Sequence, residues 1–338
     1  MDSARPSSRR VIVLILLAFL FVFLGPACVQ VFIRSLVPAD WSRVKVTSIL
    51  AALYFSFMFW RLLVVATLRA LGDRLSFVLG LAAYLLVPVA LLFTTNYPLL
   101  LVLAALWGWG AASMWQTGPL WLYDHTNPAR RGLWAGIIYA VTVAALFAGS
   151  RILGLAANAG NNSLLLTLAI VPGIAAVACA FMLPRRASMA RPLMVKDVFA
   201  LLLERRVLIL GALLFVSATS YGFLLGAFRD TIEDIHGPAA VGRVVSYFFL
   251  SRFVLSVIGG HFTDIFARRS VVAAVFCLSG VLLASVAFSN DIIALLAVSC
   301  ALGAVGALVP ISATAYSADW FAPERRTLAM GAAFFWND

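Results

Sequence analysis

Tyr123-Asp124-His125-Thr126-Asn127-Pro128-Ala129-Arg130-Arg131-Gly132 closes one hydrophobic block, and Ala318-Asp319-Trp320-Phe321-Ala322-Pro323-Glu324-Arg325-Arg326-Thr327 closes another. The aspartate, the proline and both arginines recur at a constant offset of 195. A second pair, Leu71-Gly72-Asp73-Arg74 and Gly260-His261-Phe262-Thr263-Asp264-Ile265-Phe266-Ala267-Arg268-Arg269, sets its aspartates 191 apart. Two motif pairs at nearly equal offsets indicate a copied unit, and internal repetition constrains architecture before any single element does.

The segments between the motifs are apolar and come in blocks of about 20 residues, the length of helix that crosses a hydrocarbon layer roughly 30 Å thick. Of the whole chain 63% is hydrophobic and 12% charged, against about a quarter charged in a soluble domain. The expectation is an all-α polytopic membrane protein. Ten complete spans are placed at 11–33, 44–67, 76–94, 98–123, 133–156, 164–183, 207–228, 241–263, 270–288 and 292–318, with an eleventh starting near Thr327. Each copy then holds six helices, and because six is even both copies share one orientation. The second copy would need roughly 50 further residues to match the first, so the chain reads as C-terminally truncated, a cut fragment or a shortened gene.

Charge placement orients the helices. With a cytoplasmic N-terminus, 17 Lys and Arg residues fall on the cytoplasmic side and five on the other, with Arg61, Arg151 and Arg252 inside spans; such asymmetry is the positive-inside pattern. The net charge of +11 is therefore a topology signal and not a nucleic-acid footprint. The basic stretch 184–206 separates a six-helix bundle, 1–183, from a second bundle, 207–338, holding four helices and the start of a fifth; Lys196 to Arg206 reads as a surface helix or a solvated linker. Cys28, Cys179, Cys277 and Cys300 each lie alone in a different block, without the spacing of a metal or redox site. The first block is too long for a signal peptide.

At the motifs the sequence resembles the major facilitator superfamily, whose signature after the second helix of each half is G-x-L-A-D-R-x-G-R-K. Gly260, Asp264, Arg268 and Arg269 match it. The first copy keeps Asp73 and Arg74, but Arg69 and Ser76 replace the glycines and Phe77-Val78 the basic pair. A further likeness, to the UNC-93-like branch, lies in Ala51-Ala52-Leu53-Tyr54-Phe55-Ser56-Phe57 and in Trp107-Gly108-Trp109-Gly110-Ala111-Ala112-Ser113-Met114-Trp115. The resemblance implies the major facilitator fold of two parallel six-helix repeats, and alternating access around a cavity lined by the first, fourth, seventh and tenth helices. It assigns conformational gating to Asp73, Arg74, Asp124, Arg131, Gly260, Asp264, Arg268, Arg269, Asp319 and Arg326. For Arg130, Arg185, Arg186 and Arg206 the alternative is that they only enforce topology.

On those cavity helices the candidate substrate-binding residues are Gln30, Gln116, Trp115, Tyr221 and Tyr316, joined by Arg252 from the eighth span. An intramembrane charge is costly enough to point to function. Arg252 falls near the membrane centre, whereas Arg61 and Arg151 are expected nearer span ends, where their side chains reach the interface. All fourteen acidic residues are expected in loops or at span ends, which disfavours carboxylate-dependent proton symport and cationic cargo.

No HExxH, GxSxG or intramembrane aspartate pair is present, so an enzyme is not expected. Neither a cofactor nor a metal is implied. The expected function is transport of a small anionic or neutral solute; the alternative is a transporter-fold accessory or regulatory protein that no longer transports. The implied setting is a multi-pass monomer in the lipid bilayer of a plasma or inner membrane.

Overall fold

The computed structural model describes residues 8–126, 131–184, 200–265, 268–285, 291–321, 329 and 332–337, and every regular element among them is helical. Nine of the described helical segments are long and apolar enough to cross a membrane, and Arg269–Ser285 is a shorter apolar helix. Each of the ten expected spans has a helical counterpart among the described residues; the ninth is described to Ser285, and 286–290 lie outside the described residues. The eleventh is represented by Ala329 and by 332–337, ending in the short turn Phe335–Asn337, where Trp336 packs against Gly211.

The chain divides into two compact units, Met1–Gly149 with Asn161–Pro192, and Ser150–Gly160 with Leu193–Asp338. The first begins with a broken span. Helix α1, Ser8–Leu24, stops at Gly25-Pro26, a 3-10 turn covers Pro26–Cys28, and α2, Val29–Leu36, resumes. Pro26 has no N–H to donate, and so interrupts the helical ladder. The thiol of Cys28 partly repairs the break by donating to the carbonyl of Phe23 at 3.1 Å. Helix α3, Arg43–Ala83, is capped by Ser42 and is broken once, at Gly72, whose φ of 74° lies where only glycine is at ease. That break separates the second expected span from the third. Helices α4, Leu86–Leu91, α5, Tyr97–Asp124, α6, Arg131–Asn158, whose residues from Ser150 on fall in the second unit, and α7, Asn162–Phe181, complete the series.

The second unit opens with α8, Arg205–Phe223, which continues through a π-helical stretch, Leu224–Phe228, into α9, Arg229–His236. Helices α10, Pro238–Ile265, α11, Arg268–Ser285, and α12, Ile292–Trp320, follow.

Each unit closes one helix pair in the same way. In the first, Ser56 of α3 donates to the carbonyl of Ala105 on α5 at 2.5 Å, and Gly108 lies against the backbone of Leu53. In the second, Ser251 of α10 donates to the carbonyl of Cys300 on α12 at 2.7 Å, and Gly303 lies against the backbone of Phe248. All four positions are related by the offset of 195 read in the loop motifs.

Candidate functional site

The first unit brings Gln30 and Tyr54 together. Gln30 is the second residue of α2, just past the break, and Tyr54 on α3 donates its hydroxyl to Gln30 Oε1 at 2.7 Å. Gln30 is buried, so this bond meets a need that an apolar surrounding would leave costly. Tyr54 was not among the candidate substrate-binding residues read from the sequence. Trp115 on α5 lies edge-on to Phe19 at 5.3 Å and tilted against Phe23 at 5.6 Å, while Gln116 beside it is exposed. Trp109 of α5 donates to Thr67 of α3 at 3.3 Å.

Arg61 lies on α3. Along α3 it stands sixteen residues after Lys45 and eight before Arg69, about 24 and 12 Å along the axis. Its guanidinium lies 5.4 Å from the ring centre of Phe57, one turn back toward the span's middle. Helix side chains lean toward the N-terminus, and Phe57 offers its π face there. Arg151, by contrast, is exposed seven residues from the end of α6.

In the second unit Tyr221 stacks on Phe248 at 5.8 Å and meets Phe249 edge-on at 6.2 Å. Arg252 is half-buried at the middle of α10, and its Cδ and Nε lie 3.6 Å from where a side chain on Gly306 of α12 would begin. Tyr316 stacks on Trp320 at 5.4 Å, as Trp121 stacks on His125 at 5.8 Å 195 positions earlier.

A correction concerns the acidic residues. Asp230, expected in a loop, is buried in α9, and its Oδ1 accepts from Arg229 Nη2 at 2.6 Å and Nε at 3.0 Å. The span breaks at Gly226 within the π-helical stretch and resumes as α9 instead of ending at Phe228, which carries both residues inside the unit. Asp230 and Gln30 are each the second residue of an eight-residue helix that follows a break in its unit, although the offset of 195 does not pair them.

Of the gating candidates, Asp73 and Arg74 begin the helical run after Gly72, beside a cavity of about 440 Å³ that Phe181 also lines. Arg74 Nη2 donates to the carbonyl of Phe181 at the end of α7. Arg206 likewise donates to the carbonyl of Trp320 at 2.6 Å, so its role exceeds topology: it satisfies a carbonyl that a helix end leaves open. Arg269 is exposed. The side chains of Asp124, Arg131, Gly260, Asp264, Arg268 and Asp319, and the whole of Arg326, lie outside the described residues. Among the described residues no group of three His, Cys, Asp or Glu could hold a metal ion.

Residues 210–337 match the family model of the Major Facilitator Superfamily. Among solved structures, the chain is similar to the nucleoside transporter NupG, with a TM-score of 0.77 at 10% identity, covering 98% of this chain and 87% of that one. An aspartate-to-alanine mutant of NupG gives the same TM-score and coverage at 13% identity. At these identities the likeness is one of fold. No protein of curated function matches, and the UNC-93-like branch gains no support from these matches.

Proposed function

From a chain that has the major facilitator fold along its length and matches that superfamily's model over 210–337, we propose a protein that moves a small solute across a membrane by alternating access. The fold likeness, covering 98% of the chain, carries this reading. The cargo is anionic or neutral. Arg252 supports the anion, since a guanidinium at mid-helix offers the two-pronged contact that carboxylates and phosphates favour. Gln30, Trp115, Gln116, Tyr221 and Tyr316 serve as further cargo contacts. The motif residues Asp73, Arg74, Asp124, Arg131, Gly260, Asp264, Arg268, Arg269, Asp319 and Arg326 serve the gating, with the N-terminus in the cytoplasm.

Uptake into liposomes loaded with the purified full chain tests this, with a monocarboxylate, a dicarboxylate, inorganic phosphate and a nucleoside as probes. Saturable flux of any one supports transport, and absence of flux for all four removes it. The degraded first-half motif, with Arg69 and Ser76 at its glycine positions, favours a second reading as a non-transporting accessory protein. That reading predicts no flux together with stable capture of a membrane partner.

A further inference from the structure

Arg74, just past the Gly72 break in the first unit, leaves one of its donors unused. Its Nη2 donates to the carbonyl of Phe181 at the end of α7, while its Nε is buried and has no hydrogen-bond partner among the described residues. Ser76, two residues on, is fully buried with its Oγ likewise unpartnered among the described residues. A guanidinium nitrogen can only donate. The group that completes this place is therefore an acceptor, and an anionic acceptor bonds a guanidinium best.

Space for such a group lies alongside. The cavity of about 440 Å³ at the break has Leu71, Leu75, Val78 and Phe181 as apolar walls, and Asp73 and Arg74 as its charged groups. Nothing lies within 4 Å of where a side chain on Gly72 would begin, so the break itself keeps that side open. Of the stretches able to cross a membrane, Ala70–Leu91 starts at this cavity and Asn162–Phe181 finishes at it, which sets it at the level where hydrocarbon gives way to headgroups. Leu75 and Phe181 are exposed, an apolar rim that suits acyl chains.

Charge narrows the occupant further. One arginine beside one carboxylate offers no surplus for a doubly charged guest, and free phosphate at neutral pH carries nearly two charges and no apolar part. A phosphodiester carries a single charge, and a lipid brings its own chains to the rim. We propose that this cavity is a phospholipid site, in which the phosphodiester of a membrane lipid accepts from Arg74 Nε and its acyl chains lie along Leu75 and Phe181. Because Arg74 also holds the end of α7, the lipid fastens the start of one span to the finish of another within the first unit. The site stands or falls apart from the transport reading, since its test involves no flux.

Native mass spectrometry of the full chain in detergent, titrated with single lipids, tests it. The probes are dioleoyl phosphatidylglycerol, a dioleoyl glucosyl glycerolipid that lacks phosphate, and inorganic phosphate as competitor. Wild type is expected to bind one phosphatidylglycerol in preference to the glycolipid. Arg74→Gln is expected to weaken phosphatidylglycerol roughly tenfold or more, the scale of a lost charge-assisted contact, and to leave the glycolipid unchanged. Leu75→Trp, which fills the rim without altering charge, weakens phosphatidylglycerol as well and serves where Arg74→Gln does not fold. Equal phosphatidylglycerol affinity in wild type and both variants overturns the proposal, as does a glycolipid that binds wild type just as tightly. Displacement of the lipid by inorganic phosphate at equal or lower concentration makes this a site for a free anion and overturns the lipid assignment.

Discussion

Asp230 presents one carboxylate oxygen to both Nε and Nη2 of its own neighbour, Arg229, and both side chains are buried. Two charges adjacent in sequence normally point to different sides of a helix; here the long arginine side chain curls back to its neighbour's carboxylate. Removing one member of a buried pair is far worse than removing both, because the survivor keeps its desolvation cost without its partner's field, a difference of about 3 to 5 kcal/mol. Asp230→Ala should therefore lower the thermal unfolding midpoint sharply, while Arg229→Met with Asp230→Leu recovers most of the loss. Should Asp230→Ala melt with wild type in detergent, the pair is not part of the folded protein.

The Tyr54 to Gln30 bond makes a narrower prediction. Tyr54→Phe keeps the ring and removes the donor to Gln30 Oε1, a change that costs about 1 to 3 kcal/mol where a buried acceptor loses its donor. If the pair also contacts cargo, KM for uptake rises severalfold while the maximal rate holds. A stability loss without any change in KM would confine the pair to a structural role.

Cys28 carries a third. Its thiol donates to Phe23 O where Pro26 has broken the ladder. Cys28→Ser retains a donor at that place and Cys28→Ala does not, so the alanine variant should be the less stable by roughly 0.5 to 1.5 kcal/mol, the net worth of one such bond. Chemical denaturation of the two variants side by side reads the difference, and equal midpoints would show that the break needs no repair.

Much of this architecture is legible in the apolar blocks and the repeated loop motifs, because lipid imposes helix length and a copied unit repeats its motifs at a fixed offset. What escapes the sequence depends on helix continuity and side-chain direction. Arg229-Asp230-Thr231-Ile232-Glu233-Asp234 has the composition of a loop, and only the structure reveals that helix resumes there after the break at Gly226. Tyr54 sits in an aromatic-rich block where nothing local distinguishes a cargo-facing phenol from a packing ring. Arg61 did leave a signal, its twelve-residue distance from Asp73, but the direction of its guanidinium toward Phe57 emerges only in three dimensions. Arg206 reads as one more cytoplasmic cation until its bond to Trp320 is seen.

The paired serine and glycine contacts permit a test of the repeat itself. A side chain on Gly108 would begin 2.8 Å from Ser56 Cβ, and one on Gly303 would begin 3.1 Å from Ser251 Cβ, with backbone closer still in both places. Membrane helices that approach so closely do so through small residues, since packing and interhelical hydrogen bonds replace the hydrophobic drive available in water. Gly108→Val and Gly303→Val must each push their helix pair apart and break a serine bond, Ser56 to Ala105 in the first unit and Ser251 to Cys300 in the second. Overpacking of this sort costs about 1 to 3 kcal/mol, with the lost bond adding to it. Because the two sites are copies of one arrangement in separate units, the two variants should lose similar amounts, and their combination should lose nearly the sum. Unfolding midpoints of the three variants in one detergent decide the matter: a large loss at one glycine and none at the other would mean that the two helix pairs are not equivalent, and the duplicated unit would lose its structural support.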